Sequence, residues 1–504
     1  MNSITCDVLI IGGGVNGTGI ARDAAGRGLS VVLCEKDDLA AHTSSASSKL
    51  IHGGLRYLEY YEFALVRKAL RERETLLKSA PHIMWPLRFV MPHDAGQRPA
   101  WLMRAGLFLY DHLAPREFLG ASQAIDLRRH PAGAPLKPAF VRAFEYADGW
   151  VDDARLVVLN AVDARAHGAQ VFTRTTCISA ERGQQHWLAT LRSGQGEPLR
   201  VQARCLVNAG GPWAGRLQRT LTGAPAHHQL RAIKGSHIVV PRLCEHGYAY
   251  LFQHPDGRIV FALPFQQQFT LIGTTDVEYS GDLDRVAITA QEIDYLCTLA
   301  SHYFRRAVTP DMVLSTYAGV RPILEDEQAS ASAATRDYRL EHDVDGAPLL
   351  TVWGGKITTF RVLAEQAVDW IAPRLGVTAG PWTAQACLPG GDLFGEGPVA
   401  RNVQGFDTFV EALQARHAWL PPALCRRYAR AYGSRCALLL EGVKDLAGLG
   451  EEVLPGLYAR EIDYLRREEW ACAAEDILWR RTKLGLKLPA GAAEQLALWL
   501  EAKV

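Results

Sequence analysis

The residues best suited to chemistry are a few cations and histidines in short frames, most of them bounded by glycine. His52-Gly53-Gly54-Leu55-Arg56-Tyr57 is one frame and Gly319-Val320-Arg321-Pro322 is another. Thr335-Arg336-Asp337-Tyr338 and Gly354-Gly355-Lys356-Ile357-Thr358-Thr359 complete the set. A dianionic handle on a substrate calls for two or three Arg or Lys, and Arg adds bidentate contacts. Arg56, Arg321, Arg336 and Lys356, with Tyr57 beside them, are therefore expected to bind an anionic substrate. Chemistry that takes a proton from the substrate also needs a group to accept it. A guanidinium does not give up its own proton. His52 or Lys356 with a lowered pKa suits that role better, and His237 suits it less. The expected catalytic set is His52, Arg321 and Lys356. A surface position is the usual fate of any single Arg; the shared framing argues against it for Arg56 and Arg321 above all.

Such frames need a scaffold, and the amino terminus supplies its first element. Leu9-Ile10-Ile11-Gly12-Gly13-Gly14-Val15-Asn16-Gly17 leads into an Ala/Gly-rich helical pattern, and Val31-Val32-Leu33-Cys34 ends at Glu35. This reads as strand, tight turn, helix, strand, acid. Gly12 permits the turn, Gly14 lets a pyrophosphate approach the backbone, and Gly17 lets helix and strand pack closely. The helix start points unpaired N–H groups and a positive dipole end at the phosphates. Glu35 is placed to accept hydrogen bonds from a ribose diol. The pattern implies a dinucleotide and leaves FAD and NAD both open.

At 504 residues, two or three domains are expected. The 48% hydrophobic and 22% charged composition is ordinary for a globular protein, which argues against disorder. A net charge of +1 gives no reason to expect a nucleic-acid partner. Ten scattered cysteines with no C-x-x-C pair suggest free thiols in a reducing compartment and no metal site. The first residues lack a basic, cleavable leader, and no apolar run reaches membrane-spanning length. A cytosolic protein, or one bound to a membrane surface, is expected.

Along the chain, Thr43-Ser44-Ser45-Ala46-Ser47-Ser48-Lys49-Leu50 precedes the His52 frame with small hydroxyl residues that would fit against a flat ligand. Phe63 to Lys78 has a helical charge pattern. Pro99 to Tyr110 is apolar almost all round, with Arg98, Arg104 and His112 as basic points. It suits a core helix and a bilayer interface equally. Cys205 to Ala214 is a second strand ending in glycines, with Ala209, Gly210 and Trp213 at the expected ligand side. Residues 234–273 hold four β runs that read as an antiparallel sheet inserted between halves of the dinucleotide domain. After a Gly/Pro-rich linker at 387–398 the chain reads as all-α, including one long helix from Leu457 to Leu484. Its Arg426, Arg427, Arg430, Arg480 and Arg481 are expected on a solvated or dimer-facing surface.

Gly12 to Glu35 followed by Thr43 to Tyr57, with the G-V-R-P and G-G-K-x-T-T frames, resembles the flavin-dependent glycerol-3-phosphate dehydrogenases of the aerobic bacterial type. The resemblance covers essentially the whole chain. It implies an FAD-binding α/β Rossmann-like fold of the glutathione-reductase and D-amino-acid-oxidase type, an antiparallel β substrate domain and an all-α C-terminal cap. The implied boundaries are 1–80, 145–225 and 313–386 for the FAD unit, 81–144 and 226–312 for the substrate unit, and 387–504 for the cap. Implied cofactor contacts are Gly12, Gly13, Gly14, Asn16, Gly17, Glu35, Thr43, Ser44, Ser45, Ser48, Lys49, Leu50, His52, Gly53 and Gly54. Ala209, Gly210, Trp213, Gly319, Gly354, Gly355, Lys356, Ile357 and Thr358 continue that surface.

The resemblance further implies oxidation of sn-glycerol 3-phosphate to dihydroxyacetone phosphate. Electrons would pass to ubiquinone from an enzyme attached to the inner face of the cytoplasmic membrane, as a homodimer. Oxygen as the acceptor, another amine or hydroxy-acid oxidase, and a flavin-bound redox sensor without turnover are the alternatives.

Overall fold

The first strand, β1 (Ser3–Ile11), is half-exposed at its start and buried over its last residues, as a run of Val, Leu and Ile in a sheet interior should be. Helix α1 (Val15–Gly26) follows through the glycine turn, and β2 (Val31–Cys34) lies parallel to β1. The computed structural model describes residues 3–94, 96–194, 196–222, 228–253, 258–324 and 337–503. Strands Leu349–Trp353, Leu199–Asn208, β1, β2 and Gln170–Phe172 stand side by side in that order, all parallel. Arg339–Asp343 adds an antiparallel edge. One face is covered by α1 with helices Asp153–Ala166 and Phe360–Arg374, the other by the hairpin Thr175–Arg182 and Trp187–Ser193.

A second sheet takes the order 277–278, 230–241, 269–273, 259–265, 249–253, 84–92, 142–151, 50–51, with Ser315–Leu324 also on Leu230–Pro241. Its pairings are antiparallel except Ala249–Gln253 with Met84–Pro92. Leu50–Ile51, Arg142–Val151 and Ser315–Leu324 belong to this sheet, so the chain crosses between sheets within residues assigned above to the flavin unit. The His52 frame follows Leu50–Ile51, Gly319 lies within Ser315–Leu324 opposite Gly235, and Gly354 follows strand Leu349–Trp353 of the first sheet. Helix Ala290–Tyr303 covers one face, held by a Thr289–Glu292 capping box. Helices Phe63–Ser79 and Ala100–His112 cover the other.

Helix Ala100–His112 is both a core helix and a surface helix. Leu107, Tyr110 and Asp111 are buried, while Trp101 is 72% and Phe108 57% exposed.

The carboxyl-terminal region has its own core, with a two-stranded ribbon, Glu452–Leu454 with Leu457–Tyr458, among its helices. Two expectations fail here. Leu457 to Leu484 is not one helix. Helix Ala459–Glu469 stops at Trp470 (φ +54°), where Asp476 accepts the N–H groups of Cys472 and Ala473, both at 2.8 Å. A π-helix then spans Asp476–Arg481. Nor are the arginines a solvated surface. Arg427 meets the buried Glu461 at 2.6 and 2.7 Å, and Arg430 lies over Trp85 and Phe406. Arg480 and Arg481 are buried on Asp38. Arg426 pairs with the exposed Asp407, and Arg480 adds the exposed Glu475 to its buried partners.

Candidate functional site

The adenylate end is a backbone cradle. Gly12 adopts φ +118°, and a Cβ there would stand 2.5 Å from the Ala209 carbonyl oxygen. A Cβ on Gly17 would stand 1.9 Å from the Gly12 carbonyl oxygen, so helix and strand touch as only glycine allows. The Gly13 N–H donates to Glu35 Oε2 at 2.6 Å and the Asp37 N–H to Oε1 at 2.9 Å. This fixes the carboxylate while each oxygen keeps a lone pair for a diol. Burial pushes the Glu35 carboxyl up, against those two hydrogen bonds. Ser44 Oγ accepts the Val15 N–H at 3.0 Å and so brings the hydroxyl segment to the start of α1. Gly12, Gly14, Glu35, Ser44, Ala209 and Trp213 line one cleft of about 500 Å³. Trp213 stands against the His42 ring and under Lys36 Nζ.

From there the hydroxyl segment runs toward the second sheet. Thr43 Oγ1 donates to the Val320 carbonyl at 2.7 Å, and a Cβ on Gly319 would meet Ala46 at 2.6 Å. Ser48 Oγ lies 2.9 Å from His237 Nε2, and His237 stacks on Tyr317. Lys49 is committed to Asp153, with both carboxylate oxygens at 2.9 Å, and to the Ser45 carbonyl at 3.0 Å. Its ammonium shapes the segment. Leu50 is buried in the short strand before the His52 turn.

The reacting end gathers distant side chains. Lys356 Nζ is buried over the Tyr57 ring at 4.0 Å, with no hydrogen-bond partner among the described residues. An ammonium so placed is suited to an anion. Gly355 has φ +105° and packs on Asn16, whose Nδ2 donates to the Gly354 carbonyl at 3.3 Å. This ties the start of α1 to the end of strand Leu349–Trp353 within the first sheet's unit, and Ile357 and Thr358 open a turn into helix Phe360–Arg374. Arg321 Nη2 donates to Asp276 Oδ1 at 2.7 Å and the Thr275 carbonyl at 3.2 Å; its side chain is 45% exposed. Arg56 is half-buried beside Tyr57. Arg336 lies outside the described residues; Tyr338, two residues on, accepts from Lys68 Nζ at 2.7 Å.

His52 is half-buried, its ring edge-on to Phe261. Burial lowers its pKa, Asp148 resists, and Lys356, Arg73 and Arg321 add to the lowering. The imidazole is therefore neutral at neutral pH, as a base must be. Burial holds His237 lower still.

A buried network under this turn is absent from the sequence reading. The Gly53 N–H donates to Tyr110 Oη at 2.9 Å, and Tyr110 Oη donates to Asp148 at 2.8 Å. Arg73 Nη1 donates to the same carboxylate at 2.5 Å. Only contacts over 38 to 95 residues join these groups. The available hint was Asp148 before Gly149-Trp150, a second carboxylate beside Glu145 in a strand buried over nearly its whole length.

The family described as "FAD dependent oxidoreductase" matches residues 7–361, and "C-terminal domain of alpha-glycerophosphate oxidase" matches residues 382–498. A Pseudomonas aeruginosa protein named glycerol-3-phosphate dehydrogenase is 52% identical over 99% of this chain and 95% of its own length. A Brucella abortus protein named D-erythritol 1-phosphate dehydrogenase is 47% identical over 99% of this chain and 98% of its own. The solved glycerol-3-phosphate dehydrogenase of Bacillus halodurans, complexed with FAD, superposes with a TM-score of 0.79 at 26% identity, covering 99% of this chain and 90% of that one. The glycine cradle, the diol-ready Glu35 and the long cleft fit FAD. Its cofactor is FAD, and the chain belongs to the FAD-dependent oxidoreductases, in the family of the glycerol-3-phosphate dehydrogenases.

Proposed function

We propose that the chain oxidises sn-glycerol 3-phosphate to dihydroxyacetone phosphate. The observation that carries this reading is the buried Lys356 ammonium, which has no hydrogen-bond partner among the described residues, with His52 and Arg321 among the charges that act on one another there. Bound FAD, held by the glycine cradle and Glu35, would supply the acceptor for the hydride of the alcohol carbon. Arg321, Arg56 and Lys356 hold the phosphate dianion, with Arg336 a fourth candidate. The Asp276 contact fixes one edge of the Arg321 guanidinium and leaves its other donors for the anion. His52 takes the hydroxyl proton.

The test is anaerobic mixing of the yellow enzyme with substrate, followed by flavin absorbance. sn-Glycerol 3-phosphate should bleach it fastest. A relative is named for a tetritol phosphate, so D-erythritol 1-phosphate is the comparison substrate. Faster bleaching by that compound would reassign the substrate, and bleaching by lactate or amino acids alone would remove the phosphate reading.

Electrons then pass to ubiquinone at the membrane in this reading. Support comes from exposed apolar side chains: Tyr61, 80% exposed, with Phe63 against it, and Trp101 and Phe108 on helix Ala100–His112, which packs on the turn Leu55–Tyr60 just before them. No helix among the described residues is long and apolar enough to cross a membrane. Trp101→Asp with Phe108→Asp should abolish co-sedimentation with anionic vesicles and leave bleaching intact. Reoxidation by a soluble quinone should outrun reoxidation by oxygen. Light scattering should give twice the mass of one chain, the expected homodimer.

A further inference from the structure

The loop after β2 faces two ways. Glu35 turns toward the dinucleotide cleft, and Asp38 turns into the protein, where it is 2% exposed. Asp38 Oδ2 accepts Arg480 Nε at 2.6 Å and Arg481 Nη1 at 2.7 Å, and Oδ1 accepts Arg481 Nη2 at 2.8 Å. Both arginines come from the π-helix Asp476–Arg481. Adjacent residues of an ordinary helix point about 100° apart, yet here two adjacent guanidiniums meet one carboxylate. Such widened turns recur at functional sites.

The same turn reaches the loop by a second route. Asp476 accepts Arg174 Nη2 at 2.8 and 2.9 Å and Arg480 Nη2 at 2.6 Å. The Arg174 N–H donates to the Asp37 carbonyl at 2.7 Å, and the next N–H, of Thr175, to the Glu35 carbonyl at 2.7 Å. The backbone of Glu35 and Asp37 is thus pinned to a segment that Asp476 holds. Lys483 extends the seam to Asp152 at 2.5 Å, next to Asp153, which grips Lys49 and Ser47. Buried ion pairs of this kind add little net stability. They fix geometry, because a wrong register leaves a charge unpaired.

We infer that the Asp476–Arg481 turn of the helical domain is a positioning element of the flavin site: by clamping Asp38 it aims the Glu35 carboxylate at the adenosine ribose. Arg480 and Arg481 hold Asp38 and act through the loop. The claim concerns cofactor retention and is independent of the substrate.

The test uses full-length Arg481→Met, stripped of flavin, titrated with FAD and separately with ADP, beside a urea denaturation of the same apoprotein. FAD and ADP affinity should weaken together, each at least tenfold. A lowered urea midpoint with unchanged FAD and ADP affinity would show a merely structural role and overturn the inference. Weakening for FAD alone would overturn it too, because the ribose lies in the half that ADP reproduces. If Arg481→Met does not fold, Arg174→Gln, at a side chain 37% exposed, carries the same test. It should give a paired loss of at least threefold, and its absence would overturn the inference equally.

Discussion

At the adenylate end the contacts are backbone groups and one carboxylate drawn from Gly12 to Ser44, with Ala209 against them. At the reacting end they are side chains of His52, Tyr57, His237, Arg321 and Lys356, carried to one place by two sheets. The first is rigid because glycines leave no room for another arrangement. The second is held by charges that tune one another. A backbone cradle therefore reads the part common to all dinucleotides, and tunable side chains are reserved for the step that differs between enzymes.

The largest expected effect breaks the cradle. Gly17→Val would drive a side chain into the Gly12 carbonyl, and purified protein should carry no flavin absorbance. His52→Ala should do the reverse. Flavin stays bound, and anaerobic bleaching slows by roughly a hundred- to ten-thousandfold, the usual worth of a general base. If the rate is unchanged, the proton goes elsewhere.

Acid should weaken the second region through burial. His52 and His237 both have folded pKa values below the ordinary 6.5, burial being the main cause. The unfolded chain then takes up protons first as pH falls. Stability is full above about pH 6.5 and declines below it, by up to about 1.4 kcal/mol per pH unit for each histidine. The urea midpoint at pH 5.5 should lie below that at pH 7.5.

Arg321→Lys keeps the charge and loses the fork, so KM for a phosphorylated substrate should rise about ten- to a hundredfold, from charged hydrogen bonds of about 1.5–3 kcal/mol. Tyr110→Phe is the smallest change, about 2 kcal/mol of stability for the two hydrogen bonds lost, to Asp148 and from the Gly53 N–H. It also leaves the Asp148 charge less compensated, which moves the acid limb of the bleaching rate to higher pH. An unmoved limb would separate this network from His52.

The same contrast explains what was legible. Gly12 to Glu35 could be read because turn, helix and acid obey local rules of spacing. The glycine frames marked Arg321 and Lys356, since a strand ending in glycine signals a close approach. Asp148, Tyr110 and Arg73 follow no local rule; each is ordinary until the fold closes. Arg480 and Arg481 misled because charged residues on a helix usually face water. Their partner Asp38 is 442 residues away from Arg480. Lys49 was expected among the cofactor contacts, and its ammonium is held by Asp153, 104 residues away.

The most direct measurement is stopped-flow anaerobic reduction by sn-glycerol 3-phosphate carrying deuterium on its secondary alcohol carbon. The expected result is saturable bleaching of the flavin, slowed by a primary isotope effect and by the loss of His52. Absence of bleaching by this substrate, with bleaching by a carboxylate or amino-acid substrate instead, would contradict the assignment of the reacting end.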